Sequence, residues 1–424
     1  MMEGTESETM NSLFIVTNDY PYGRGDSIFV LPELLYLRES FEVTVISTSL
    51  EEKIQAELLD GVKYRHFQLK LTAAKKLKYI LRFFLNRFCL QELYDIIRNG
   101  REHRLGKIYK SIEFFACAEE FYRFLQETMD DELSEKKGIF LTYWCNACSL
   151  SLLLHSLKYQ NLKHATRLHG YDVYEERYAF GRQPFKNFIN DRLDKLFFVS
   201  HNAREYYFRV HPRLEREKTF VSSLGVERMV PGLFRTGGRQ FFTLVSCSST
   251  IPLKRVNLII EALSLVQTEI PVKWIHFGNG TSQKEMIGLA REKLSNKAGV
   301  SYEFMGETDN EEIKRFYLSE KPDCFITTSS TEGSPVSVME ALACGIPVIG
   351  TAVGDIPRMV RQNGVLLPAN PQKEEVAAAL EKILSASPAE KEFMSRQSLK
   401  IWEERYDREK NEREFVQELK KLLL

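Results

Sequence analysis

Two glutamates stand eight positions apart in the run Thr331 to Gly350, TEGSPVSVMEALACGIPVIG. Glu332 precedes a predicted helix, and Glu340 lies inside it, one turn beyond Val336. An ionised carboxylate only accepts hydrogen bonds, and it accepts two side by side, so it suits a ligand with paired hydroxyls such as a sugar or a ribose. The alternative for Glu340 is a solvated surface charge. Its apolar neighbours instead predict a mostly buried helix, in which an idle charge is costly.

The start of the same helix predicts an anion site. Ser334 is a favourable N-cap residue, Pro335 suits the first helical position, and Gly345 ends the helix. The backbone N–H groups of the first turn, including those of Val336 and Ser337, then lack helical acceptors and lie at the positive end of the helix dipole. We therefore expect a diphosphate to bind at this helix start.

Lys254 is a second candidate for phosphate binding. It follows the apolar run FFTLVS and precedes a helix whose apolar residues recur at i, i+3, i+4 and i+7. Its position alone is equally compatible with a plain surface cation. Gly23 and Gly25, in the first strand–helix loop, would let the backbone approach a substrate closely, and a simple turn is the alternative.

The elements that must position these residues alternate in type along the chain. Short apolar runs and helical patterns follow one another from SLFIVT onward, pause at the glycine- and proline-rich run Val221 to Arg239, and then restart. With 424 residues, this predicts an α/β protein of two Rossmann-like, doubly wound domains. We expect the first domain at residues 1–225, the second at 226–401, and a C-terminal helix at 402–424 that packs back on the first domain.

The glutamate pair resembles the donor-site motif of a known family. The sequence EGSPVSVMEA followed by GIPVIGT is similar to that of retaining glycosyltransferases of the GT-B fold, family four. The runs YPYGRG, RLHGYD, SSLGV and PLKRVNLIIEAL precede it in the order that the family shows, so the resemblance covers most of the chain. It is nearest to bacterial members that build capsular or other surface polysaccharides. The resemblance implies that the two domains face each other across a cleft, with residues 1–225 as the acceptor-side domain and residues 226–401 as the nucleotide-sugar donor domain.

The resemblance implies a role for individual residues. Glu332 would contact hydroxyls of the donor sugar, Glu340 would hold the ribose, and Lys254 would hold the diphosphate. His169 would approach the donor sugar, with Asp172 as its supporting partner. The residues that complete the set are predicted to bind the donor: Gly23, Gly25, Gly278, Gly280, Met305, Gly306, Ser334 and Val336.

The implied activity is that of a retaining hexosyltransferase. It would move a hexose-type sugar from a UDP- or GDP-sugar to a glycan or lipid-linked acceptor, with the donor phosphate helping to take the acceptor proton. The eight histidines are dispersed and no Asp-x-Asp pair is present, so we expect neither a metal nor another cofactor.

The chain departs from the family pattern at Ser248–Thr250, where many members carry an arginine, and Arg255 is the candidate replacement. Two alternatives stay open, and the missing arginine motivates the first of them. One is a catalytically weak homologue that acts as a binding partner, and the other is a nucleotide-sugar epimerase.

The charge pattern limits the partners. The 58 basic and 58 acidic side chains cancel, and no basic tail predicts binding to nucleic acid. The run Leu69 to Leu90 differs, because it carries six basic residues and no acidic one among leucines and phenylalanines. It predicts either a peripheral membrane contact or a solvated helix face over a core stripe. With no signal-peptide pattern, we expect a cytoplasmic protein, or one at the inner face of the membrane.

Overall fold

The computed structural model describes residues 10–23, 25–69, 71–99, 102–155, 157–229 and 241–424. The chain forms two compact units. The first comprises the described residues up to Ser222 together with Glu412–Leu424, and the second comprises Ser223–Asn411. Most of the glycine- and proline-rich run that suggested the domain division, residues 230–240, lies outside the described residues.

The first unit is built on a parallel sheet of seven strands in the order β3-β2-β1-β4-β5-β6-β7. Its central strands are short, apolar and buried on both faces, as expected for a parallel sheet covered by helices. The order reverses between β1 and β4. The strands are β1 (Ser12–Thr17), β2 (Glu42–Ser47), β3 (Lys63–His66), β4 (Gly138–Thr142), β5 (Leu162–Leu168), β6 (Lys195–Phe198) and β7 (Thr219–Val221).

Among the residues that the structure describes, seven α-helices up to Val210 accompany this sheet. The longest has 32 residues and begins after a left-handed residue, His103. They are α1 (Ser27–Leu37), α2 (Ala73–Leu85), α3 (Arg87–Asn99), α4 (Arg104–Glu135), α5 (Ala147–Leu154), α6 (Lys186–Arg192) and α7 (His201–Val210). Across the described ranges of the whole chain, no helix carries an apolar stretch long enough to cross a bilayer.

The second unit holds a parallel sheet of six strands in the order β10-β9-β8-β11-β12-β13, which reverses between β8 and β11. The strands are β8 (Phe242–Cys247), β9 (Val272–Phe277), β10 (Val300–Gly306), β11 (Cys324–Thr327), β12 (Val348–Thr351) and β13 (Gly364–Leu367). The helices that follow these strands are α8 (Val256–Leu265), α9 (Gln283–Leu294), α10 (Asn310–Glu320), α11 (Val336–Ala343), α12 (Ile356–Met359) and α13 (Lys373–Ser385). The predicted fold class, α/β with two Rossmann-like doubly wound sheets, is confirmed.

The C-terminal segment differs from the single helix predicted for residues 402–424. It forms α14 (Pro388–Arg405) and α15 (Arg408–Lys421), with a break between them. The helix breaks because the chain pairs with Val226 there: the Val226 amide donates to the Tyr406 carbonyl at 3.0 Å, and the Arg408 amide donates to the Val226 carbonyl at 3.2 Å. The second half of α15 and the residues after it belong to the core of the first unit, where four apolar side chains are buried: Phe415, Val416, Leu419 and Leu423.

Candidate functional site

The loops after β8 and β11 meet at the point where the second sheet reverses its order. After β8, a 3-10 turn at Pro252–Lys254 leads into α8, and after β11 residues 328–335 lead into α11. The amide and the hydroxyl of Ser330 both donate to the Leu253 carbonyl, at 2.8 Å and 3.1 Å. Ligands of open parallel sheets bind at such a reversal, outside the carboxyl ends of the strands.

Lys254 and Glu332 form an ion pair in these loops. Lys254 Nζ lies 2.6 Å from Glu332 Oε1, and the Ser329 hydroxyl donates to the same oxygen at 2.6 Å. The two side chains are 24% and 10% exposed, so the pair is partly shielded from water while the ammonium remains accessible. An ammonium has three N–H donors. Lys254 can therefore keep its bond to Glu332 and still donate to an incoming oxyanion.

The helix after Glu332 begins one residue later than predicted. It runs over Val336–Ala343 with Pro335 as the N-cap residue, whose carbonyl accepts from the Val338 amide at 3.2 Å. The prediction that Ser334 caps the helix is wrong, because its hydroxyl turns toward the neighbouring loop and lies 3.5 Å from Asp355 Oδ2. Pro335 correspondingly has an extended backbone instead of the first helical position.

The first turn of α11 still offers backbone donors. The amides of Val336 and Ser337 have no acceptor within the described ranges, and both residues are half-buried. The positive end of the helix dipole lies at these groups. The start of α11 thus follows Glu332 in the loop after β11, and Lys254 pairs with Glu332 from the adjacent loop after β8, so these groups can serve one anionic ligand.

The loop after β12 supports Glu332 from behind. Gly354 has φ +53°, and a Cβ there would lie 2.2 Å from the Glu332 carbonyl oxygen, so only glycine fits. Next to it, the Asp355 amide donates to the Gly333 carbonyl at 2.9 Å. Asp355 is buried and accepts from the Tyr406 hydroxyl at 2.7 Å, and burial raises the pKa of its carboxyl. Sequence reasoning missed both residues, although Gly-Asp after the strand of GIPVIGT was a turn signal.

Arg255 does not replace the arginine that is missing at Ser248–Thr250. Four of its five N–H groups donate within the protein, at 2.6–2.9 Å, so the guanidinium is engaged in holding loops together. The acceptors are the carbonyls of Thr328, Ser329 and Ala369 and the side-chain oxygen of Asn370.

Glu340 is buried, so the alternative of a solvated surface charge is wrong. The residue is only 3% exposed, and its Oε1 accepts a hydrogen bond from Asn310 Nδ2 at 2.7 Å. Asn310 is the first residue of α10, which follows β10. Burial raises the pKa of the Glu340 carboxyl, against the hydrogen bond from Asn310, which lowers it. Such a group is costly to keep inside a protein, and costly buried acids concentrate at functional sites.

The other predicted donor residues of this unit lie in the loops after β9 and at the end of β10. The Gly278 amide donates to the Gly306 carbonyl at 2.8 Å. Gly278 has φ +120°, and a Cβ there would lie 2.0 Å from the Ser248 carbonyl oxygen. Gly280 packs similarly against Thr250, so contacts between loops account for both glycines. Met305 is exposed at this same edge of the sheet.

His169 lies in the first unit, directly after β5. Its ring packs between aromatic neighbours, with centroid distances of 4.8 Å to Tyr143 and 4.4 Å to Trp144. The residue is buried, and neither ring nitrogen has a partner within the described ranges. Burial lowers the pKa of the imidazole well below its ordinary value, and the Arg167 guanidinium lowers it further. His169 is thus a neutral ring with one unused donor and one unused acceptor.

Asp172 supports the loop of His169 instead of its ring. Its Oδ1 accepts from the amides of His169 and Gly170, both at 2.9 Å, and its Oδ2 accepts from the Cys145 amide at 3.1 Å. Burial raises the pKa of this carboxyl. The expected support of His169 by Asp172 therefore acts through the backbone.

Gly23 and Gly25 lie in the loop after β1 in the first unit, on either side of Arg24, which is outside the described residues. This loop is organised by Asp26, which the sequence did not single out. Asp26 Oδ2 accepts from the amides of Asn18 and Asp19 at 2.6 Å and 2.9 Å. The loops after β1, β4 and β5 all lie at the carboxyl edge of the first sheet, near its reversal point.

Known proteins are similar to this chain in sequence. Residues 239–398 match the protein family described as Glycosyl transferases group 1. The second unit matches the group 1 glycosyl transferases. An N-acetyl-alpha-D-glucosaminyl L-malate synthase from Bacillus anthracis is 24% identical over 286 residues, which cover 62% of this chain and 72% of that protein. This chain spans 43%, 52% and 56% of three further curated relatives, about half of their length.

Solved structures with the same fold include glycosyl transferases. The lipopolysaccharide outer core galactosyltransferase WaaB in its apo form has a TM-score of 0.64 at 15% identity, covering 94% of this chain and 96% of its own. The Anabaena protein HepE in complex with UDP and glucose has a TM-score of 0.63 at 13% identity, covering 97% and 100%. At these identities the likeness establishes the GT-B-type fold.

Within the ranges that the structure describes, no group of three or more His, Cys, Asp or Glu side chains is arranged to hold a metal ion.

Proposed function

We propose that this protein is a retaining hexosyltransferase. It transfers a hexose-type sugar from a nucleotide diphosphate donor to a glycan or lipid-linked acceptor, in the synthesis of a surface polysaccharide. The family match of residues 239–398 supports the reaction class. WaaB, a lipopolysaccharide galactosyltransferase of the same fold, supports a surface glycan as the product. The complex of HepE with UDP supports a nucleotide diphosphate sugar as the donor.

The observation that carries the proposal is the Lys254–Glu332 pair beside the start of α11. When the sugar leaves, negative charge develops on the diphosphate, and the Lys254 ammonium together with the amides of Val336 and Ser337 can stabilise it. These groups supply the charge stabilisation without a metal ion. Glu332, fixed by its bond from Lys254, offers its other oxygen to hydroxyls of the sugar.

Glu340 holds the ribose of the donor in this proposal. A buried carboxylate fixed by Asn310 is a preorganised acceptor for two vicinal hydroxyls. Donor binding then also stabilises the folded protein, because the ribose hydroxyls supply hydrogen bonds to an acid that is otherwise costly to bury. In the same proposal, the neutral ring of His169 uses its unpaired nitrogens to form a hydrogen bond with the transferred sugar.

A thermal-shift screen tests the proposal. UDP- and GDP-sugars, including UDP-N-acetylglucosamine and UDP-glucose, are added to the protein at millimolar concentration, and UDP and GDP serve as controls. A donor present at a concentration of 100 times its Kd stabilises the folded state by about 2.7 kcal/mol, so the melting temperature of the protein rises. The stabilising donor is then incubated with protein and acceptor extracts. NMR follows the release of the nucleotide and shows whether the transferred sugar keeps its anomeric configuration in the product.

A second candidate function rests on a specific observation. Arg255 is engaged within the protein, and Ser248–Thr250 carry no charge, so the phosphate site has fewer cations than the family pattern. A catalytically weak homologue that acts as a binding partner fits that deficit. Stabilisation by none of the nucleotide sugars would favour this candidate over the transferase.

Replacing Glu340 with glutamine is expected to weaken the binding of the nucleotide roughly tenfold or more, because a charge-assisted pair of hydrogen bonds to the ribose is lost. The same change should raise the melting temperature at neutral pH. Burial raises the pKa of Glu340, so the wild-type protein carries a costly buried charge once the pH exceeds that raised value. Calorimetry with UDP and GDP and melting curves between pH 3.5 and about pH 7.5 measure both effects.

The gain in stability should vanish below the ordinary glutamate pKa of about 4.3, where residue 340 is neutral in both proteins. Glu303, an exposed residue paired with Lys273 at 3.1 Å, provides the matched control, and Glu303→Gln should change neither property appreciably. A Glu340→Gln variant that binds nucleotide as tightly as the wild type contradicts the role in ribose binding.

A further inference from the structure

Helix α2 exposes an apolar face. Only Tyr79 and Phe83 of its thirteen residues are buried, whereas five large apolar side chains are 38–83% exposed. These are Leu77, Ile80, Leu81, Phe84 and Leu85. At 3.6 residues per turn they fall within an arc of about 140°, on the opposite side from the buried pair. The helix therefore packs with one narrow stripe and shows a second, broader apolar stripe to its surroundings.

The orientation of α2 is fixed by buried charges beneath it. Lys75 Nζ lies 2.7 Å from Glu120, the Tyr79 hydroxyl donates to the same carboxylate, and Arg82 lies 2.8 Å from Glu119. Both glutamates are buried on α4. Because rotating the helix would break these bonds, the outward direction of the apolar face is a property of the folded unit.

The same exposure continues along the next helix. On α3, Leu90, Tyr94 and Ile97 are exposed at spacings of four and three residues, which places them on one side of the helix. Arg104 at the start of α4 donates to the Ile97 carbonyl at 2.9 Å, so the exposed Leu105 follows close to the end of that stripe. Single exposed apolar residues are ordinary, but a cluster of this size marks an interaction surface.

The charge of this segment is strongly positive. Residues 69–110 contain eleven Lys or Arg and three Asp or Glu, in a chain whose total formal charge is zero. One of the three acids, Glu92, is buried and bonded to Arg182. Lys76 and Lys78 are exposed and border the apolar arc of α2 on its two sides. An apolar helix face flanked by lysines matches the boundary of an anionic bilayer, where headgroups meet acyl chains.

We propose that α2 and the exposed stripe of α3 dock the protein on the surface of a membrane that contains anionic phospholipids. The apolar arc enters the headgroup region while Lys76 and Lys78 contact phosphates. This docking does not depend on the proposed transferase activity. We favour membrane docking over the alternative of a solvated helix face, because the exposed face of α2 is apolar.

Sedimentation with vesicles tests the docking. The full chain should bind vesicles of phosphatidylglycerol and phosphatidylcholine, bind pure phosphatidylcholine much more weakly, and dissociate as salt is raised. Leu81→Gln/Leu85→Gln should reduce the partition coefficient at least tenfold. Lys76→Gln/Lys78→Gln should reduce it roughly 10- to 30-fold at low salt, at about 1 kcal/mol for each charge. Lys75 is left unchanged because it pairs with buried Glu120.

The matched control is Leu50→Gln/Leu157→Gln, which removes two leucines outside the face that are at least as exposed as Leu81. This control should bind vesicles like the parent, and all variants should keep the melting temperature of the parent. Failure of the parent to bind anionic vesicles overturns the proposal, as does equal loss in the control. A parent that is dimeric by light scattering, with monomeric Leu81→Gln/Leu85→Gln, would instead identify the face as a subunit interface. Thermal shift with the donor, measured on the same variants, separates a failure of membrane docking from a failure of the proposed function.

Discussion

Lys254→Ala is expected to lower the rate of sugar transfer about 100- to 1000-fold, the range found when a preorganised donor to a developing oxyanion is removed. Lys254 is the side chain of this loop that can meet the diphosphate, because Arg255 beside it is engaged by four acceptors. The affinity for UDP or GDP should fall as well, since the ammonium also contacts the ground-state phosphates. Initial rates of nucleotide release and calorimetry with the free nucleotide measure the two effects.

Lys254 also holds Glu332, so the single variant has two possible causes of inactivity. A double-mutant cycle with Glu332→Gln separates them. If Lys254 acts only by holding Glu332, both single variants and the double variant will be equally slow and nucleotide affinity will stay at the parental value. If Lys254 contacts the diphosphate, Glu332→Gln retains nucleotide affinity while Lys254→Ala loses it.

Lys273→Ala serves as the control for removal of a lysine from an ion pair. Lys273 pairs with Glu303 at 3.1 Å on exposed strand positions, and its loss should leave turnover unchanged. Full activity in Lys254→Ala would contradict the central claim about the site.

The sequence predicted the fold well because periodic patterns determine it. Buried parallel strands are short apolar runs, and Val256, Ile259, Ile260 and Leu263 recur at helical spacing and are all buried in α8. The break between α14 and α15 could not be predicted. It depends on pairing with Val226, a residue about 180 positions away along the chain.

The sequence named candidate residues for the site but could not give their contacts. Spacing indicated Glu332 and Glu340, and the family resemblance indicated Lys254, whereas the bond between Lys254 and Glu332 follows from adjacent loops at the sheet reversal. The misplaced helix start has a similar reason. Ser334 has the chemistry of an N-cap, but Asp355 from another loop attracts its hydroxyl, which no local rule describes.

The second large effect is expected at His169. His169→Phe should reduce sugar transfer roughly 10- to 100-fold through loss of a hydrogen bond from the imidazole to the sugar, while nucleotide affinity stays constant. Phenylalanine keeps the ring contacts with Tyr143 and Trp144. It also removes two buried nitrogens that have no partner within the described ranges, so the melting temperature should be equal to or above that of the parent.

The pH dependence of His169 adds an independent readout. Burial and Arg167 lower its pKa well below the ordinary value, so the ring is neutral at neutral pH and the parental rate should show no inflection from this group near about 6.5. His211→Phe is the matched control, since His211 is also buried, with a pKa lowered by burial to about 3, and it follows α7 and is not among the predicted site residues. Loss of transfer in His169→Phe alone, with both variants folded, assigns the effect to the unused nitrogens of His169. Parental transfer rates in His169→Phe would reduce that ring to a packing element and leave its unpaired nitrogens without a function.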